Sequence, residues 1–75
     1  MEHFSLSKYL RGGYELTTRD GHAARIICTD AKGPKPIVAL VLYDSTETAY
    51  QYDLGGQLYY LADSKLDLFL LYLQN

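Results

Sequence analysis

The sequence has one cysteine, two prolines, no tryptophan and no long apolar run. Each shortage removes a class of protein. A single cysteine, Cys28, closes no internal disulfide, so the chain is not a disulfide-stapled scaffold, and a reducing cytoplasm is the expected setting. No Cys-x-x-Cys or His-x-x-x-His spacing occurs, so neither a metal nor another cofactor is expected. The run Ile37–Tyr43 and the C-terminal run Leu68–Leu73 both fall far short of the ~20 apolar residues that span a bilayer. The chain does not open on a basic stretch followed by an apolar one, so no signal peptide and no membrane partner are expected. Charge of one sign is also scarce. The formal net charge is -2, which argues against a dedicated nucleic-acid binder.

What is abundant is tyrosine, eight of 75 residues. Its ring packs on a pleated surface while its hydroxyl stays wet, so it suits strands. The length points to a single domain over residues 1–75 with a thin core. The charges divide along the chain. Lys8, Arg11, Arg19, Arg25, Lys32 and Lys35 lie before residue 36, whereas Lys65 alone faces five carboxylates after it.

A short helix is expected over residues 1–11, with Ser5 as its N-cap, Gly12-Gly13 as its stop, and Phe4, Leu6, Tyr9 and Leu10 as its apolar face. Tyr14–Thr18 and Ala23–Thr29 flank Asp20-Gly21, which predicts a hairpin with a type I′ turn. Ala24, Ile26 and Cys28 share one face of its second strand, with Cys28 expected in the core. Asp30–Pro36 is a loop, and Ile37–Tyr43, apolar on both faces, is the expected central strand. Thr48–Tyr52 and Gln57–Leu61 form a second expected hairpin around Asp53–Gly56. Residues 66–73 read as a closing edge strand or a short helix. The fold class is therefore mostly β. The expected architecture is a small, strongly bent antiparallel sheet or SH3-like barrel of about five strands, since curling hides edges. An open sheet with a helix on one face is the alternative.

No catalytic constellation stands out. Cys28 with His3 or His22 is the only nucleophile–base set to weigh, and the three residues lie at unrelated places in the pattern. Gly12-Gly13 and Gly55-Gly56 lead toward strands rather than helices, so neither is a phosphate loop. Asp20, Asp30, Asp44, Asp53 and Asp63 sit at turns, where aspartate bonds nearby backbone. Two surface readings remain. Tyr50, Tyr52, Tyr59 and Tyr60 beside Arg19, Arg25, Lys32 and Lys35 would make a stacking groove for single-stranded nucleic acid. Alternatively, a sheet edge or the tyrosine-rich face meets a protein, a second copy of the chain included. The polar group Arg19, His22 and Arg25 around the first hairpin, with Tyr50, Tyr52 and Tyr59, is the candidate binding set. A non-enzymatic protein-interaction or accessory module is the expected function, with a small nucleic-acid-binding barrel as the alternative.

Thr18-Arg19-Asp20-Gly21, Ala24-Arg25-Ile26-Ile27, Pro36-Ile37-Val38-Ala39-Leu40-Val41 and Asp67-Leu68-Phe69 together resemble a group of small uncharacterised proteins of gut bacteria and of phages or prophages. The resemblance covers most of the chain. It implies a compact fold and a cytoplasmic or phage-associated setting, and brings no activity or ligand with it. This chain differs in continuing apolar beyond Phe69.

Overall fold

The computed structural model describes residues 1–73. The protein is mostly β, and its described residues form two three-stranded antiparallel sheets and one short helix. The first sheet orders β1 (Glu2–His3), β6 (Leu68–Tyr72) and β2 (Tyr14–Thr18). The second orders β3 (Ala24–Cys28), β4 (Ile37–Tyr43) and β5 (Thr46–Tyr52). The expected barrel does not close. The chain leaves the first sheet at Thr18, touches back through one bridge, Thr17–Ala23, and then builds the second sheet separately.

The core lies where the two sheets meet. Leu16, Leu68 and Leu70 from one and Ile37, Ala39 and Tyr52 from the other form its cluster, with Phe4 and Leu58 added from connecting segments. Helix α1 (Leu6–Arg11) starts at Ser5, whose hydroxyl accepts the Lys8 N–H, and stops at Gly12, whose φ of 88° few side chains tolerate. Six residues cannot hold a helix alone. Leu6 and Tyr9 lean on the core, and Lys8 pairs with Glu2 of β1 at 3.0 Å. Leu10, expected on the apolar face, is instead 67% exposed.

The Asp20-Gly21 turn differs from the type I′ expectation. Gly21 has φ 89° and Asp20 does not share the positive sign. Gly21 N–H donates to Thr18 O and Thr18 N–H to His22 O, both at 2.9 Å. These bonds enclose a three-residue loop with glycine in the left-handed position, the second commonest hairpin solution. The β4–β5 hairpin is tighter, with Asp44-Ser45 between the paired residues Tyr43 and Thr46. The second expected hairpin, of Thr48–Tyr52 with Gln57–Leu61, does not form. Asp53–Gly56 does turn the chain, with Asp53 Oδ1 accepting from Gly55 and Gln57 N–H. The returning segment forms no strand, because Leu58 plugs the core and its N–H and C=O bond to the Asp67 carboxylate and the Lys35 ammonium.

The C-terminal run is a strand, but at the centre rather than the edge of its sheet. β6 lies between β1 and β2, with Leu68 and Leu70 buried in the core. Phe69 points the other way and is still buried. The Arg19 guanidinium lies 4.7 Å over its ring and the His3 ring 5.2 Å beside it. Cover on both faces thus extends over Leu68–Leu70, while Leu71 and Tyr72 beyond them are exposed.

Candidate functional site

The three residues of the first-hairpin cluster separate in space. Arg19 is tied inward: Nη2 reaches Asp67 Oδ2 at 3.2 Å and Asp63 at 3.5 Å, and Nε donates to Ser64 O. His22 stays in the turn. Its Nδ1 lies 2.9 Å from Asp20 Oδ1, and its ring stands 3.9 Å from that of Tyr43. Arg25 lies on the outer face of the second sheet, where Nε and Nη2 hold both carboxylate oxygens of Glu47 at 2.7 and 3.0 Å. That bidentate pair raises the Arg25 guanidinium and lowers the Glu47 carboxyl from their ordinary pKa values.

The tyrosines separate too. Tyr52, expected exposed, is wholly buried, and its hydroxyl donates to Leu66 O at 2.7 Å. Burial, with the nearby Tyr50 and Asp67, pushes its pKa up. Tyr50 packs half-buried against the core. Tyr59 is exposed with the Lys35 ammonium 5.8 Å from its ring, and it begins a protruding tip at which Tyr60 is 84% and Leu61 81% exposed. Of the four cations expected to line a groove, Arg19 and Arg25 face carboxylates and Lys35 donates to a carbonyl, while Lys32 lies in an exposed loop.

The cysteine and the histidines also go to different places. The Cys28 thiol is half-buried rather than in the core and donates to Asp30 Oδ1 at 3.3 Å, while His3 stacks on Phe69. Asp20 accepts from the Thr18 hydroxyl and, at 3.3 Å, from the Tyr43 hydroxyl besides contacting His22. Desolvation would raise the Asp20 pKa, but these bonds outweigh it and bring it down to about 2. The hydroxyl of Tyr43, whose ring stands beside the imidazole, thus bonds to a carboxylate. The arrangement locks a turn and aims no nucleophile at a base.

The second sheet supplies a surface that the pattern of single residues had not shown. Strand β4 alternates. Ile37, Ala39 and Val41 point to the core, and Val38, Leu40 and Leu42 point outward. The outward set is only partly covered. Arg25 from β3 and Glu47 from β5 meet across β4 and rim a shallow depression of about 140 Å³, lined also by Ala23, Ala24, Leu40 and Leu42. That volume is below the ~300 Å³ at which small-molecule pockets begin. The signal was present in Ile37–Tyr43: a strand apolar on both faces at the middle of a three-stranded sheet must show one face unless something covers it.

The edges of the two sheets are treated unequally. β1 is only two residues long. β3 carries a bulge between Ile26 and Cys28. The free side of β2 is tied to the following segment by the Thr17–Ala23 bridge. Short edges, bulges and covering chain are the usual protections against added strands. β5 has none of them. Its seven residues include no proline, lysine or arginine, its one charge, Glu47, is paired with Arg25, and Thr46–Ala49 are all exposed.

The chain matches no family model, no curated protein and no solved structure.

Proposed function

We propose that this chain is a non-enzymatic protein-interaction module that takes an extended segment of a protein partner along the free edge of β5. The observation that carries the reading is that edge: among the described residues, a long strand paired on one side only, without a bulge, a proline or a covering segment, its one charge, Glu47, held by Arg25. The half-covered Leu40 and Leu42 beside it offer apolar contact for a partner's side chains. An accessory role in gut bacteria or phages is supported by the resemblance of the hairpin and strand segments. A setting away from membranes is supported by the lack, among the described residues, of any helix long and apolar enough to cross one.

A library of extended peptides of about ten residues displayed against the folded chain tests the reading, since an edge strand of this length accepts that span. Selected peptides are expected to shift the amide resonances of Glu47, Ala49 and Gln51 first. Binders that leave β5 unperturbed, or no binders at all, overturn it.

A further inference from the structure

We infer that the segment added to β5 is β5 of a second copy of this chain, in a two-fold pairing centred on Ala49. The inference rests on the strand-addition reading and names its partner. The register of the hairpin decides which backbone groups are free. Tyr43 and Thr46 close a two-residue turn, so they exchange hydrogen bonds, and bonded and non-bonded pairs alternate from there. Leu42 N–H confirms the phase, because it donates to Ala23 O on the β3 side and leaves Leu42–Glu47 a non-bonded pair. Glu47, Ala49 and Gln51 therefore turn their N–H and C=O toward the open edge. Among the described residues these groups have no other backbone partner.

A symmetric antiparallel pair must pass its axis through one position, and each position makes a different set of opposed residues. Centring on Glu47 sets two carboxylates face to face. Centring on Tyr50 sets Glu47 against Asp53. Centring on Thr48 pairs only Thr46–Tyr50 and runs Gln51 and Tyr52 against the turn, whereas centring on Ala49 aligns all of Thr46–Tyr52 with its copy. It places the smallest side chain at the axis and sets Glu47 opposite Gln51, a carboxylate against a neutral amide. Ala49, Glu47 and Gln51 would then exchange six backbone bonds in a continuous six-stranded sheet. The Glu47 charge is already answered within its own chain by Arg25, so no uncompensated carboxylate enters the joint.

Sedimentation of the full chain over a concentration series tests this, with Gln51→Glu, Gln51→Lys and Ala49→Pro beside the unmodified chain. The Ala49 N–H faces the open edge, so proline there removes an edge donor and no β4 bond. The unmodified chain is expected to move from 8.5 kDa toward twice that mass as concentration rises. Gln51→Glu should weaken dimerisation about tenfold, because like charges then oppose each other twice, and Gln51→Lys should tighten it. Ala49→Pro should abolish it. If Ala49→Pro does not fold, the opposite responses of the two Gln51 variants decide. A dimer indifferent to both Gln51 changes overturns the inference. So does a monomer at every concentration up to about 1 mM. A monomer that still binds a selected extended peptide at β5 leaves the interaction module standing and removes only the second copy as its partner. A monomer that binds none removes both.

Discussion

Asp67 is the residue on which most of the connecting structure converges. It is almost wholly buried, with Oδ1 accepting from Leu58 N–H and Oδ2 from Ser64 N–H, each at 3.0 Å, and Arg19 completing the set. Its backbone C=O also accepts from Arg19 N–H at 2.8 Å. Buried amides that lose an acceptor keep their desolvation penalty. Asp67→Ala is therefore expected to cost about 3 kcal/mol in urea unfolding, and Arg19→Ala, at a partly exposed position, about 1 kcal/mol. Asp20 makes a pH-dependent contribution. Its carboxyl titrates near 2 in the folded chain against 3.8 ordinarily, so its stabilisation is complete above about pH 4 and is lost as pH falls through 2. Asp20→Asn should flatten that part of a stability-against-pH curve. Gly56 is fixed by two constraints at once. Its φ is 79°, and a Cβ would stand 2.7 Å from the Phe4 Cβ. Gly56→Ala should lose about 1–3 kcal/mol and lower the thermal midpoint. Of these residues, Asp20 and Gly56 could be placed at turns from sequence alone. Asp67 could not, because its burial depends on Arg19, 48 residues away along the chain, and on Leu58 being drawn into the core.

At the scale of elements, β4 and β6 occupy equivalent places, each at the centre of three strands, yet they are covered differently. β6 is buried on both faces over Leu68–Leu70, where Arg19 and His3 shield Phe69, and is exposed at Leu71 and Tyr72. β4 is buried on one face and half-open on the other. Truncation should report this difference. Leu70→Ala, at a fully buried site, is expected to cost 2–5 kcal/mol, whereas Leu42→Ala should stay below about 1 kcal/mol in the same denaturation assay. Periodicity located most strands well, including the alternation in β3, where Ala24, Ile26 and Cys28 are the more covered set. It failed over Gln57–Leu61, where a tyrosine-rich run looked like a strand. There the backbone finds side-chain partners instead, and local propensity cannot anticipate bonds to Lys35 and Asp67.

Over the whole molecule, stability should be graded from the two sheet centres outward. Amide exchange is expected to be slowest in β4 and β6 and fastest in α1 and the Tyr59–Ala62 tip, whose residues contribute little to the core. The division between sequence and tertiary structure follows from the range of the forces involved. Residue identity and spacing alone determined that the protein is mostly β, that Ser5 and Gly12 bound a short helix, and that the chain turns at Asp20-Gly21 and Asp53–Gly56. These are local consequences of backbone sterics, capping bonds and side-chain alternation. Only the tertiary structure decided that the strands form two sheets rather than a barrel and that the last strand lies between the first two. It alone decided that Tyr52 turns inward, that Arg19 folds back onto Asp67, and that β5 keeps a free edge. Those outcomes depend on which distant segments satisfy each other's backbone and apolar surface, and spacing along the chain does not record that competition.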